Sequence, residues 1–178
     1  MALIILGHPD FEKSFANKTI IDMKKTFCFI SIQFILMFFN CQAQQTPNAS
    51  LKEAIKQIEE SNWIYFQAFA KRDSSLFINC YTSDCWIMQP NSPTLCGPDA
   101  PLDFFRTGYN KTGIRGGKFI SIDIFGNGEK FVTEEGFWQS FDANNKPLDS
   151  GKYLVLWKKT PDGWKRFRDT FNSDRGSK

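Results

Sequence analysis

The spacing of apolar residues changes once along the chain, and that change constrains the fold more than any other feature. Between Leu51 and Phe69, apolar residues recur at three- and four-residue intervals, which predicts an amphipathic helix over 51–71. From Lys118 onward, apolar and polar residues alternate as they do in half-buried strands. Helices followed by a run of strands predict an α+β domain, in which the helices cover one face of an antiparallel sheet.

Cap and turn signals divide this pattern into elements. Ser50 and Glu53 have the spacing of a capping box, Asp73 is placed to cap a second helix, and Pro98 suits the first turn of a third. Asn127-Gly128 is a strong hairpin signal. The remaining predicted elements are helices at 74–81 and 99–110 and strands at 85–90, 118–126, 130–142, 150–159 and 164–174.

The segment 23–43 has the layout of a secretory signal peptide. Met23 is followed by two lysines and by an apolar run that ends at Phe39. As a helix this run would be about 20 Å long, whereas the hydrocarbon core of a bilayer is about 30 Å thick. A cleaved signal peptide is therefore a better interpretation than a membrane anchor.

Cleavage after Ala43 would leave a mature chain that begins at Gln44, and we expect the functional protein to start at Met23. Lipidation at Cys41 is the alternative, because the residues before it loosely resemble a lipobox. Either route predicts an exported protein, periplasmic or secreted, which associates with a membrane only if it is lipidated. The folded domain is then 44–178.

Residues 1–22 form a different kind of segment. An apolar strand leads into Gly7-His8-Pro9, and this opening resembles the first strand and loop of flavodoxin-fold NAD(P)H:quinone oxidoreductases. In that family the loop helps to hold the flavin phosphate, and His8, Ser14 and Asn17 stand at matching positions. The βα repeats of such a fold do not follow, so we expect no bound flavin or other cofactor. A gene fusion or a wrongly chosen start would both explain this fragment.

The rest of the chain carries a more extensive resemblance. The run YTSDCWIMQPNSPTLCGPDAPLDFF, followed by EEGFW, DSGKYLVLWKK, DGWK and RDTFNSD, is similar to the SnoaL-like branch of the nuclear transport factor 2-like superfamily over 48–175. The resemblance implies a cone, in which a strongly curved sheet wraps round a long helix and encloses a mainly apolar pocket. Relatives include ketosteroid isomerases, polyketide cyclases, dehydratases and non-catalytic binding modules, and cone folds often dimerise through the outer sheet face.

Ketosteroid isomerases need an Asp base and an oxyanion hole made of Tyr and a protonated Asp. Tyr65 precedes Asp73 by the same interval as the family's Tyr, so its role carries over. The family's base immediately precedes a Pro, and that position holds Gln89, whose amide cannot take a proton. The second oxyanion residue falls at Tyr153 or, one residue away, at Lys152. Steroid isomerisation by the family mechanism is therefore not expected.

Asp169 is the main alternative candidate for chemistry. Strict alternation places Phe167, Asp169 and Phe171 on one face of the last strand. If that face points inward, Asp169 is a carboxylate in apolar surroundings that could act as acid or base. The other interpretation is that Asp169 accepts hydrogen bonds from a neighbouring strand or pairs with Lys152. The opposite face would carry Arg166, Arg168 and Thr170.

Other residues are candidates for the pocket wall. Glu134 shares a face with Gly136 and Trp138, where the glycine would leave room for a ligand; a solvated sheet edge is the alternative. Lys152 has apolar flanks and, if buried, would need Glu134 or Asp169 as a partner. The full set of predicted pocket residues is Trp86, Gln89, Asn91, Glu134, Trp138, Tyr153 and Phe167.

Composition excludes several classes of function. The chain has one histidine, His8, so a domain that begins at Gln44 has no imidazole for a catalytic triad or a metal site. The net charge is +3 and basic residues are interspersed with acidic ones, which argues against nucleic-acid binding. We expect Cys80, Cys85 and Cys96 to be unpaired thiols, with an 80–85 or 85–96 disulfide as the alternative.

Three functions are compatible with these features. The first is an exported pocket that binds a small apolar or carbonyl-bearing molecule with little or no catalysis. The second is an isomerase, cyclase or dehydratase that uses Asp169 as acid or base, with Tyr65 or Lys152 polarising a carbonyl. The third is a homodimerisation or partner-binding module.

Overall fold

A computed structural model of the chain describes residues 48–175. The predicted signal peptide, the flavodoxin-like fragment and Cys41 lie outside these residues. The helices are α1 (Ala49–Lys71), α2 (Ser74–Ile78) and α3 (Ala100–Thr107), and α3 continues into a π-helical turn, Gly108–Thr112. The strands are β1 (Tyr81–Met88), β2 (Leu95–Cys96), β3 (Gly116–Gly126), β4 (Phe131–Phe141), β5 (Pro147–Thr160) and β6 (Gly163–Phe171).

The N-cap of helix α1 lies two residues before the predicted capping box. Asn48 is the N-cap, and its side chain accepts a hydrogen bond from the backbone N–H of Leu51 at 2.7 Å. Glu53 accepts instead from the side chain of Gln57 at 2.8 Å, so the predicted Ser50–Glu53 box is wrong. The helix ends at Lys71, and Arg72 follows with a left-handed backbone (φ 55°) that turns the N–H of Asp73 back to the carbonyl of Ala68 at 2.9 Å.

Asp73 was correctly predicted to cap α2, but the prediction that Pro98 lies in the first turn of α3 is wrong. The Asp73 side chain accepts from the backbone N–H of Ser75 at 2.9 Å and starts α2. That helix ends at Ile78, because the chain turns into β1 at Tyr81, four residues earlier than the predicted strand. Pro98 precedes α3, and it is Pro101 that occupies the first turn of that helix.

The six strands form one curved sheet in the order β2-β1-β6-β5-β4-β3, and only the β1–β6 pair is parallel. The predicted Asn127-Gly128 hairpin connects β3 and β4. Gly128 has φ +72°, and a Cβ there would lie 2.4 Å from the backbone nitrogen of Leu51. This turn therefore packs closely against the start of α1, and Asn48 donates a side-chain hydrogen bond to the carbonyl of Asn127 at 3.1 Å.

A β-bulge in β6 changes which side chains face the interior. Trp157 of β5 pairs with Arg166, but its neighbour Leu156 pairs with Arg168, so Phe167 is the extra residue. Arg166 and Asp169 consequently both point inward, and both are buried. The prediction that Phe167 and Asp169 share a face, with Arg166 opposite, is wrong because strict alternation fails at the bulge.

Helix α1 lies across the concave face of the sheet and divides the interior into two apolar clusters. The cluster near the C-terminal half of α1 is rich in aromatic rings and includes Tyr65, Phe69, Phe77, Tyr81 and Phe105. The cluster near its N-terminal half includes Leu51, Ile58, Val132, Trp157 and Trp164. This arrangement is the predicted α+β cone, a curved sheet wrapped around a long first helix.

Candidate functional site

The aromatic cluster contains a partly enclosed cavity of about 70 Å³ between α1, α3 and the sheet. Its lining residues with polar side-chain atoms are Tyr65, Trp138, Ser140, Tyr153 and Asp169, and Asp169 is its one carboxylate among the described residues. The largest part of the wall is formed by the rings of Tyr65, Phe66, Phe69, Phe104, Phe119 and Phe171. A mainly apolar lining with a few polar groups is the usual composition of a ligand site, and this cavity is smaller than the roughly 300–1,000 Å³ of most such sites.

Asp169 is held at the wall of this cavity by two hydrogen bonds to the same oxygen. The hydroxyl of Tyr81 donates to Oδ2 at 2.7 Å, and Nη1 of Arg166 donates to it at 3.3 Å. Within the described residues, Oδ1 accepts no hydrogen bond. The carboxylate is 5% exposed, so it has one satisfied oxygen and one that a ligand in the cavity could contact.

Arg166 is a fully buried guanidinium surrounded by aromatic rings. Its Cζ lies 4.5 to 5.0 Å from the ring centroids of Phe119, Trp157 and Tyr65, and Nη2 donates to Oδ1 of Asn62. Burial acts to lower the pKa of Arg166, but the negative charges around it, that of Asp169 first, raise the pKa above its ordinary value. The cation is therefore a permanent part of the interior.

Glu134 lies deeper than Asp169 and is completely enclosed. Oε1 accepts from Asn62 and from Tyr153, each at 2.7 Å, and also from Ser121. Oε2 accepts from the indole N–H of Trp157 at 2.9 Å. Both oxygens of this carboxylate are thus satisfied by neighbouring side chains, and Asn62 connects it to Arg166.

Three buried tyrosines stay protonated beside these carboxylates. Burial raises the pKa of Tyr65 and of Tyr81 well above 10.0, and the charge of Asp169 raises both further. Burial followed by the charge of Glu134 raises the pKa of Tyr153 in the same way. All three hydroxyls are therefore hydrogen-bond donors at any physiological pH.

The structure brings together some of the predicted site residues and separates others. Tyr65, Trp138, Tyr153 and Asp169 all line the cavity. Glu134 is next to them through Tyr153 rather than at a solvated sheet edge.

Lys152 is not buried: 59% of its side chain is exposed, and it pairs with Asp174 on the outside of the sheet. Trp86 is 47% exposed, with the Arg168 guanidinium 4.9 Å from its ring. Phe167 packs against Phe131 at 5.8 Å between centroids, on the side of the sheet away from the cavity. These three residues were placed in the interior by assuming regular alternation or apolar flanks.

Gln89 and Asn91 follow β1 and do not line the cavity. Gln89 is half-buried, and Asn91 is exposed with φ 54° in the turn after the strand. The backbone of Asn91 therefore supports a role in the turn rather than in the pocket wall.

Sequence reasoning missed Tyr81, Asn62 and Arg166. Tyr81 could have been found because it is an aromatic residue at the start of β1. Asn62 could have been found because it is a polar residue on the buried face of α1. Arg166 faces inward only because of the bulge at Phe167, and nothing in the local sequence marks that bulge.

The cysteines add no reactive group to the cavity. Cys80, Cys85 and Cys96 are free thiols, the first two buried and the third exposed. Burial raises the pKa of Cys85 to about 11, and it also raises the pKa of Cys80. Both buried thiols therefore stay neutral, as the preferred sequence interpretation of inert buried cysteines expects.

Within residues 48–175, no group of three or more His, Cys, Asp or Glu side chains is arranged to hold a metal ion. None of the helices described there is both long enough and apolar enough to cross a membrane.

Comparison with known proteins identifies the fold. A ketosteroid isomerase-like protein from Erwinia carotovora superposes with a TM-score of 0.58 at 18% identity, over 72% of this chain and 99% of that one. A nuclear transport factor 2-like protein of unknown function from Shewanella oneidensis gives 0.54 at 18% identity, over 68% and 98%. One from Novosphingobium aromaticivorans, with a cystatin-like fold, gives 0.59 at 15% identity, over 71% and 86%.

By sequence, no family model and no curated protein matches the chain. At these identities the superpositions show a shared fold. The described domain therefore has the cone fold of the nuclear transport factor 2-like and ketosteroid isomerase-like proteins, as the sequence motifs predicted.

Proposed function

We propose that this protein binds a small, mainly apolar molecule in the cavity and performs little or no catalysis. The observation that carries the proposal is the half-satisfied carboxylate of Asp169, fixed by Tyr81 and Arg166 at the wall of an aromatic cavity. A buried carboxylate is costly unless its oxygens have partners. An oxygen without a partner beside a cavity is therefore suited to contact a ligand. The aromatic rings would supply most of the binding energy.

Little catalysis is proposed because the residues of the isomerase mechanism are not assembled. The position of the family's base holds Gln89, which lies outside the cavity lining. Asp169 is held in an ion pair with Arg166 and a hydrogen bond from Tyr81, both on Oδ2, so that oxygen is already occupied.

An enzyme of the isomerase, cyclase or dehydratase type is the alternative. The observation in its favour is that Tyr65 and Asp169 line the same cavity and that the pKa of Tyr65 is raised by burial, so its hydroxyl stays a donor. In this alternative Asp169 would take a proton from the substrate while Tyr65 donates to a carbonyl oxygen.

The test compares Asp169→Asn with Asp174→Asn, a matched change at an exposed carboxylate outside the cavity. Native mass spectrometry of protein purified from its own cells would identify a bound molecule by its added mass. We expect that molecule to be lost from Asp169→Asn and kept by Asp174→Asn. If Asp169→Asn kept the molecule but lost its turnover, the enzyme would replace the binding protein.

The same spectrum tests the proposed export. A subunit that begins at Gln44, or a lipidated one that begins at Cys41, is the expected product of export. A subunit that retains Met1 would contradict it.

Homodimerisation is proposed in addition, from apolar side chains on the outer face of the sheet. Ile120 and Phe137 pair across β3 and β4 and are 44% and 42% exposed, and Leu154 of β5 is 44% exposed. An apolar patch of this kind commonly marks a protein interface, and a second copy would cover it through the same patch. We expect Phe137→Lys to halve the mass in solution, and Trp63→Lys, an equivalent change on α1, to leave it unaltered.

A further inference from the structure

The hydrogen-bonding groups around the cavity are unevenly divided between donors and acceptors. Apart from Tyr65, three lining side chains carry an N–H or O–H group, and each already donates to a protein oxygen. The bonds run from Tyr153 to Glu134 at 2.7 Å, from Trp138 to the carbonyl of Asn172 at 3.0 Å, and from Ser140 to the carbonyl of Asp149 at 3.4 Å. These three donors are therefore engaged before any ligand arrives.

Tyr65 is the exception. It lines the cavity, and among the hydrogen bonds of the described residues its hydroxyl donates to no protein oxygen. Tyr81 gives its own proton to Asp169. Tyr65 therefore supplies the one donor of the wall that a ligand finds free.

Acceptor capacity, in contrast, remains open. Both hydrogen bonds to Asp169 go to Oδ2, so Oδ1 retains its lone pairs at the cavity wall. The oxygens of Ser140 and Tyr153 have further capacity of the same kind. A ligand that offered only acceptors could bond to Tyr65 but would leave Oδ1 of Asp169 without a partner.

The charges of the interior point the same way. One guanidinium, Arg166, lies among two carboxyl groups, Asp169 and Glu134, and can neutralise only one of them. Aromatic faces, which carry negative charge at their centres, form most of the surrounding wall. An anion would therefore be repelled, whereas a cation or a neutral donor would be stabilised.

The cavity also limits the size of the ligand. Its volume is about 70 Å³, roughly half of the ~150 Å³ cavity that accommodates benzene in another protein. By this scaling the cavity encloses about three heavy atoms, so the rest of a larger ligand would extend through its open side.

From these observations we infer that the natural ligand carries an N–H or O–H donor, as an amine or an alcohol, on a small apolar body, and that this donor contacts Oδ1 of Asp169. The inference rests on the proposed binding function and deepens it. This inference excludes carboxylates as ligands. The carbonyl-bearing ligand that the sequence analysis considered would bind more weakly than an amine or an alcohol.

The experiment uses the full-length protein and four probes of similar shape: sec-butylamine, 2-butanol, butanone and isobutyrate. Binding at neutral pH is followed by the NMR signal of the Trp138 indole N–H, which lines the cavity. The amine and the alcohol should bind about tenfold more tightly than butanone, because only they can donate to the buried carboxylate. Isobutyrate should not bind measurably. Asp169→Asn should remove the preference, and Asp174→Asn should keep it.

The outcomes separate this inference from the proposed function. If all four probes bind with similar affinity, or if butanone or isobutyrate binds best, the donor inference is wrong and the binding pocket stands. If a preference for the amine persists in Asp169→Asn, the contact with Asp169 is wrong. If no probe binds to the wild-type protein, both the pocket function and the inference fail.

Discussion

Glu134 and Asp169 are both carboxylates on the inner face of the sheet, and both are buried, yet their surroundings differ. Glu134 accepts hydrogen bonds from four side chains, and these bonds occupy both of its oxygens. Asp169 accepts two, both on Oδ2, and the residue lines the cavity. Glu134 connects to the closed cluster around Trp157, and Asp169 to the cluster that contains the cavity.

The difference separates a structural carboxylate from a binding one. A buried polar group that is fully hydrogen-bonded helps to fix one arrangement of the core, whereas a partly satisfied group costs stability and suits a ligand site. Arg166 belongs to both regions, because it bonds directly to Asp169 and reaches Glu134 through Asn62. Substitutions at these positions should therefore have effects of graded size.

Arg166→Met should have the largest effect, because it removes the charge that both regions share. It leaves two buried carboxyl groups without a cation, and breaking a buried ion pair in this way costs about 3–5 kcal/mol. The measurement is the free energy of unfolding from urea denaturation. Arg168→Met, a matched change whose guanidinium contacts Phe167 and Trp86 outside the cavity, should cost about 1 kcal/mol or less. Equal losses in the two variants would contradict the shared role of Arg166.

The paired variants Glu134→Gln and Asp169→Asn test the comparison directly. A glutamine would place an NH₂ group among the donors of Asn62, Tyr153 and Trp157, so we expect a loss of about 2–3 kcal/mol in the free energy of unfolding. Asparagine can keep one oxygen toward Tyr81 and turn its amide to the cavity. Arg166 also keeps the nearby negative charge of Glu134 and is not left uncompensated, so Asp169→Asn should lose about 1 kcal/mol. Ligand affinity should fall more in Asp169→Asn than in Glu134→Gln. If Asp169→Asn proved the less stable of the two, the distinction between the carboxylates would be wrong.

Tyr81→Phe tests the Asp169 region through pH. The raised pKa of Tyr81 means that the unfolded chain ionises first as pH rises above about 10. The stability that the folded protein gains by holding this proton is complete below that pH and is lost above it. The free energy of unfolding should therefore fall with increasing pH, and Tyr81→Phe should make that slope shallower by about 1.4 kcal/mol per pH unit. Urea denaturation at a series of alkaline pH values measures both slopes, and identical slopes would contradict the prediction.

The sequence was sufficient to predict the α+β class because its elements depend on local patterns, and the family resemblance supplied the cone. The spacing between Leu51 and Phe69 is a helix signal, and the Asp73 cap and the Asn127-Gly128 hairpin are formed by residues close together in the chain. The Ser50–Glu53 capping box failed because Asn48, an equally good cap, lies two residues earlier. Local rules thus identify elements better than their ends.

The candidate site was predicted less completely, because its polar groups are brought together by long-range pairing. Asp169 and Tyr65 were found from alternation and from a family motif, but their partners Tyr81 and Arg166 were not. One extra residue in β6 reverses the side on which Phe167 and Arg166 lie. Alternation therefore assigned the buried cation to the outside, which left Lys152 as the apparent partner for a buried carboxylate.

Lys152→Ala should have the smallest effect and completes the comparison. Lys152 pairs with Asp174, but more than half of its side chain is exposed to solvent, where ion pairs contribute little. We expect the free energy of unfolding to change by no more than about 0.5 kcal/mol, and probe binding in the cavity to stay the same. The measurement is urea denaturation alongside Arg166→Met. A large loss in Lys152→Ala would mean that the outer ion pair, rather than the buried guanidinium, is the cation on which the sheet depends.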